Sequence, residues 1–203
     1  MKIIVITENL AKGNNEVTRA LNMQEPVVSL KADSTLLKGG KPLFLPDFAE
    51  RCSAGLHLVV RISRLGKSIP RRFASRYYDA VTVGLDVRAD DVVERLSDAG
   101  LPWDGGESFD GSAVIGDFIP LSEPLKNEHT VTLFSDGERV LENNMSEWRW
   151  QVDELIEYVS RYAMVRQGDF LFCGPAAVRL PLKIGRHLHA EIDGRGVLDF
   201  NIK

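Results

Sequence analysis

The chain has 203 residues, 44% of them hydrophobic and 27% charged, with a net charge of −4 and a pI of about 5.6. That length and balance fit one globular domain over residues 1–203 with a sizeable core. The acidic balance argues against nucleic acid as the main partner, because phosphate binding needs concentrated positive charge, and no apolar run is long enough to cross a membrane. Cys52 and Cys173 lie far apart and neither has a histidine nearby in sequence. They are read as reduced packing residues, and with no targeting segment visible the expected location is cytoplasmic.

Taken in chain order, residues 2–7 read as a first strand, followed by a polar stretch to residue 22 with one weak helical pattern. Residues 27–30 and 43–45 are short strands on either side of the turn Gly39-Gly40-Lys41-Pro42. A dense apolar strand covers residues 56–62. A helix then starts near Ser68, as cap, with Pro70 in its first turn. Residues 80–85 form a second apolar strand ending on Asp86. An amphipathic helix opens with Asp90 and Asp91, carries Val92, Val93 and Leu96 inward, and closes at Gly100. The loop 101–110 is anchored by Trp103 and Phe109. Short strands follow at 113–115 and 118–119, then a hairpin, 130–134 and 138–141, turning on Ser135-Asp136-Gly137. The clearest helix is predicted over 146–163, with Trp148, Val152, Leu155, Ile156, Val159 and Ala163 as one stripe. Strands at 169–173, 182–184, 187–192 and 197–202 complete the chain. The pattern lacks a βαβ rhythm, so the fold class is α+β, a mixed β-sandwich or β-roll of short strands with a few packed helices.

The candidate chemistry lies in the central stretch. Asp86, at the end of a buried strand and facing an earlier strand that carries His57, can serve a reaction or can cap the helix that follows. His57 alone reads more simply as a hydrogen-bonded histidine on a half-buried strand. His187 and His189, two residues apart, read as outward or edge positions. The arginines and lysine from Arg61 to Arg76 read as a solvated turn and helix face, with an anion site or partner surface as the alternative.

The order of several segments resembles the fumarylacetoacetate hydrolase family, along nearly the whole chain. These are the opening strand and loop to Glu16, Leu30-Lys31-Ala32-Asp33-Ser34, Leu58 to Ile69, Leu85-Asp86-Val87-Arg88-Ala89-Asp90-Asp91, Ser108-Phe109-Asp110-Gly111, and Gly168 to Gly174. The resemblance implies a hydrolase, isomerase or decarboxylase of small dicarbonyl (keto-enol) acids, using Mg²⁺ or Mn²⁺ to polarise the carbonyl. It implies a small-molecule keto acid as partner, a homodimer, and Glu16 and Lys31 as candidate catalytic residues. The family's ion is held by a Glu-x-Glu on one strand face and by the Asp of an Asn-Asp.

Carried over position by position, that pair falls on Gly55 and His57, and only Asp86 is retained. The motif's arginine falls on Asp90, its lysine at about Glu107, and its loop histidine on Gly13. Three readings follow. The chain is an enzyme of altered chemistry; or it is an inactive relative kept for binding or assembly; or its site is rebuilt. In the last case His57, Asp86 and Glu107 form an imidazole–carboxylate set suited to a transition metal.

Overall fold

A computed structural model describes residues 1–10, 24–38, 40–175 and 178–203. Among the described residues, thirteen strands make two sheets. In chain order they are β1 (Ile3–Glu8), β2 (Val27–Lys31), β3 (Leu36–Lys38), β4 (Cys52–Ile62), β5 (Tyr78–Ala89), β6 (Ala113–Ile115), β7 (Ile119–Pro120), β8 (Thr130–Ser135), β9 (Glu138–Asn144), β10 (Phe170–Pro175), β11 (Leu180–Pro181), β12 (His187–Ile192) and β13 (Arg195–Asn201). The helices are α1 (Arg71–Ala74), α2 (Asp90–Asp98) and α3 (Val152–Tyr162). The larger sheet runs β2-β1-β10-β4-β5-β6-β3, with β11 on β4 and β7 on β5; the smaller runs β13-β12-β8-β9. β1–β10 and β3–β6 are parallel and the other pairings antiparallel. This is the α+β, sheet-dominated class that the sequence pattern indicates.

Chain connectivity forces the larger sheet to curl. β2 ends at Lys31 and β3 begins at Leu36, yet they occupy opposite ends of the seven-strand path. Five residues reach at most about 17 Å. Six flat inter-strand steps would span about 29 Å. The sheet therefore closes into a half-barrel, and Lys31 is carried from one edge across the opening toward β5.

Sequence alternation decides what each face holds. On β4, Cys52, Ala54, Leu56, Leu58, Val60 and Ile62 enter the main core shared with α3 and the smaller sheet. The residues between them, Ser53, Gly55, His57 and Val59, face the inside of the half-barrel. Its lower part is apolar, packed with Ile3, Val5, Val59, Ala113, Ile115, Phe170 and Phe172.

The smaller sheet packs on β4 and β5 and is turned twice by Asp-Gly pairs, Asp136-Gly137 (φ +51° and +84°) and Asp193-Gly194 (φ +50° and +79°). Those are the left-handed positions that a two-residue hairpin turn needs. The sheets meet closely where Gly116 passes β13: a Cβ there would stand 2.3 Å from the Val197 carbonyl oxygen. Gly116→Ala is expected to cost about 2–3 kcal/mol, since backbone rather than a pliable side chain blocks it. Urea denaturation checks this, and a loss under 0.5 kcal/mol, on the order of a surface change, would contradict it.

Several boundaries differ from the sequence reading. β4 and β5 are longer than their apolar runs, because the polar residues at their ends stay in register. The helix predicted from 146 begins only at Val152. Trp148 precedes it, buried, with its Nε1 donating to Asn143 Oδ1 at 2.7 Å. Glu154 accepts from the Gln151 N–H at 2.8 Å and fixes that start. α1 starts after Pro70, not at a Ser68 cap; Ser68 has φ +51° and its N–H donates to the Ser160 carbonyl. Trp103 is 49% exposed rather than a buried anchor, whereas Phe109 packs edge-on against Phe48. The strand expected at 182–184 lies at Leu180–Pro181.

Candidate functional site

β4 and β5 pair with Gly55 opposite Asp86, His57 opposite Gly84 and Ser53 opposite Arg88. All six point to the inner face by the two-residue period. Asp86 therefore sits within β5, and α2 begins four residues later without a side-chain cap on Ala89. The capping alternative is thereby corrected: Asp86 is committed to ion pairs inside the half-barrel.

Two cations grip it. Lys31 Nζ lies 2.6 Å from Asp86 Oδ1 and donates to the Val87 and Ser112 carbonyls at 3.0 Å each. Arg179 Nη1 donates to Asp86 Oδ2 at 3.0 Å, and Nη2 to the Asp86 carbonyl at 2.6 Å. Lys31 spends all three N–H donors in this way and its side chain is 1% exposed, so it holds the cluster and has no free N–H to offer a ligand. The geometry makes it a positioning residue. Arg179, 24% exposed, also donates through Nε to Ser53 Oγ at 2.9 Å and through Nη2 to the Ser53 carbonyl at 3.2 Å. Among the described residues one of its five N–H groups remains unspent. Ser53 Oγ in turn donates to Asp90 Oδ1, which also receives Arg88 Nε at 2.7 Å. Asp90 thus anchors Arg88 directly and Arg179 through Ser53.

These fields set the ionisation. Burial pushes the Asp86 carboxyl up, but the combined pull of Lys31 and Arg179 is stronger and holds it well below the usual carboxylate range. His57 is fully buried and lowered to about 3, chiefly by desolvation, with Arg179 and Lys31 adding to it against Asp86. Among the described residues neither of its ring nitrogens has a hydrogen-bond partner, and Phe172 stands edge-on at 5.5 Å. It is a neutral imidazole in the wall, not the hydrogen-bonded histidine expected. Glu107 is pushed up, first by burial and then by Asp86.

Of the site residues named from the sequence, Lys31, His57 and Asp86 act on one another across this cleft, and Glu107 lies in the field of Asp86 and Lys31. Glu16 lies outside the described residues. Among the described residues, no group of three or more His, Cys, Asp or Glu could hold a metal, so His57, Asp86 and Glu107 are neighbours but not a ligand set. Cys52 and Cys173 are buried free thiols, and burial pushes Cys173 up, as befits packing. His187 and His189 are partly exposed on β12 and share Asp199. The basic stretch is solvated, with Arg61 on Asp79 and Arg71 on Glu154. Arg179 and Ser53 were missed by the sequence reading. The available signal was a lone charge between Val178 and Leu180 in an otherwise apolar run.

The model for the fumarylacetoacetate (FAA) hydrolase C-terminal domain matches residues 2–203. Similar curated proteins include the mitochondrial oxaloacetate tautomerase of Mus musculus, 28% identical over 99% of this chain and 91% of that one. The corresponding mitochondrial protein of Caenorhabditis elegans is 30% identical over 87% and 83%. Among solved structures, fumarylpyruvate hydrolase from Pseudomonas aeruginosa in complex with Mn²⁺ and pyruvate superposes with a TM-score of 0.89, at 25% identity, over 100% of this chain and 89% of that one. A 5-carboxymethyl-2-hydroxymuconate delta-isomerase from Mycobacterium smegmatis, 21% identical over 99% and 77%, shares the fold with a TM-score of 0.84.

The residues of this cleft do not fit a divalent ion of that kind. Asp86 is one carboxylate with both oxygens already paired to cations, position 55 offers no side chain and position 57 a neutral imidazole. A small hard cation keeps its own waters unless several anionic oxygens replace them.

Proposed function

This chain belongs to the fumarylacetoacetate hydrolase family, and from that premise we propose that it acts on a small keto acid by proton transfer, as a tautomerase or double-bond isomerase. The observation that carries this reading is Glu107: a carboxyl raised by burial and by Asp86, within the field of Lys31, Arg88 and Arg179. A carboxylate whose pKa is raised is a stronger base than an ordinary one.

Keto–enol exchange needs only such a group beside a cation. The Glu107 carboxylate removes the proton from the carbon next to the carbonyl, and the electron pair moves to the carbonyl oxygen. The unspent Arg179 N–H meets the charge that develops there, where a fixed donor is worth most. Glu107 then returns its proton to the oxygen, giving the enol, or to a different carbon, giving the shifted double bond. Hydrolysis of a C–C bond would further require an activated water. The loop expected to supply it carries Gly13 in place of histidine, and its Glu16 lies outside the described residues.

The test is oxaloacetate enolisation followed by ultraviolet absorbance. Glu107→Gln is expected to lower kcat by about 10²- to 10³-fold with KM little changed, the usual weight of a positioned general base. A variant as active as the parent ends the assignment of Glu107. A parent chain that accelerates neither oxaloacetate nor an acylpyruvate favours the second reading, an assembly or binding scaffold. That reading draws support from the saturation of Lys31 and Asp86 by protein partners.

A further inference from the structure

We infer that the Arg179 guanidinium is the resident cation of this cleft, serving Asp86 and the bound anion in the role that a divalent ion would otherwise have. Three observations converge on it. Arg179 spans the β4–β5 pair with four hydrogen bonds, to the Asp86 carboxylate and carbonyl and to the Ser53 hydroxyl and carbonyl. Ser53 is itself held by Asp90, so the guanidinium is fixed in orientation as well as in place.

The second observation is steric. Gly55 pairs directly with Asp86, and a Cβ built there would stand 3.1 Å from Arg179 Nη1 and 3.3 Å from His57 Nε2. A Cβ at 55 would press on the guanidinium, which would have to give by a few tenths of an ångström, and a longer side chain there would compete with it for the cleft. The third is electrostatic. An added cation facing Asp86 would meet Lys31 against one carboxylate oxygen and Arg179 against the other. Lys31 is sealed in the protein and cannot swing aside. A guanidinium keeps its charge at every working pH and presents planar paired donors suited to a carboxylate or enolate. Its supply does not depend on free metal.

The cation assignment rests on geometry, and its second arm rests on the keto-acid reading, so the two can fail separately. The probe for the first is Mn²⁺ alone, followed by the loss of the free-ion electron paramagnetic resonance signal. The parent chain is expected to leave Mn²⁺ free, with a Kd above about 1 mM, whereas Gly55→Glu/His57→Glu/Arg179→Ala gains two carboxylates, three with Asp86, and binds about 100-fold tighter. One Mn²⁺ per parent chain at micromolar Kd overturns the inference. So does a folded triple variant, judged by circular dichroism, that binds no better than the parent.

The probe for the second arm is pyruvate, by calorimetry. Binding by the parent is expected to be unchanged by EDTA and to weaken at least about tenfold in Arg179→Gln, the loss typical of a charge-assisted contact. Binding abolished by EDTA, or equal in Arg179→Gln, overturns the inference whether or not the triple variant folds. A parent that excludes both Mn²⁺ and pyruvate supports the absence of a divalent-ion site and ends the keto-acid reading.

Discussion

Asp86→Ala is expected to destabilise the protein by about 3–5 kcal/mol, a fall in Tm of about 10 °C for a chain of this size. The reason is what it leaves behind. Lys31 is 1% exposed, and its Nζ would keep only two neutral carbonyls, those of Val87 and Ser112. Arg179 suffers less, because it is partly exposed and keeps its bonds to Ser53 and to the backbone carbonyl at position 86. A double-mutant cycle isolates the cause. Lys31→Met/Asp86→Ala should be more stable than Asp86→Ala alone, since the orphaned charge is gone. Thermal melts of the four proteins measure it. Simple additivity of the two single losses would show that the pair is not coupled.

The second large effect concerns His57 and acid. Its folded-state value is about 3, against an ordinary value near 6.5, because burial disfavours the imidazolium beside Arg179 and Lys31. Between those limits the unfolded chain takes up a proton that the folded chain refuses. Stability therefore falls as pH drops through this window and is undiminished above pH 6.5. The full loss is roughly 4 kcal/mol by pH 3, of which about 2–3 kcal/mol is reached at pH 4.5. Asp86, held low, contributes stability that is lost only at stronger acid; Glu107, held high, acts in the opposite sense. Comparison with His57→Leu cancels both, since each is common to the two proteins. Urea denaturation at pH 7.5 and 4.5 should show the parent losing about 2–3 kcal/mol more than His57→Leu. Equal losses would place a proton on the folded imidazole at pH 4.5, and with it a partner for that ring.

Much of this architecture could be read from residue order because the strands alternate so regularly. On β4 the apolar run 56–62 announced the strand and placed His57 on it, whereas the inner face that His57 shares with Ser53 and Gly55 shows only in the full strand from Cys52. The Asp-Gly turn at Asp136-Gly137 fixed its hairpin, and Asp90-Asp91 fixed the start of α2. What was not legible depends on closure of the half-barrel. Lys31 and Arg179 meet Asp86 from positions 55 residues before it and 93 after it, and nothing local to either announces the meeting. The helix read from residue 146 was too long for a related reason. Trp148 continues the helical spacing, yet it is buried through Asn143, which also ties β9 to the Leu56 and Gly174 carbonyls. Asn9 does the same for the Cys173 and Trp150 carbonyls. Single polar residues that stitch distant backbone together leave no periodic trace.

The shared space of Gly55 and Arg179 also constrains descent. A side chain introduced at 55 while the arginine remains would be forced against Nη1. Shortening residue 179 first removes two hydrogen bonds from Ser53 and two from Asp86 but creates no collision. Stepwise exchange between a carboxylate-lined cleft and this one is therefore biased: the route that keeps the contact relaxed has glycine before arginine on the way in, and arginine leaving before an acid returns. Across homologues the two columns should covary, with arginine at 179 enriched beside glycine at 55.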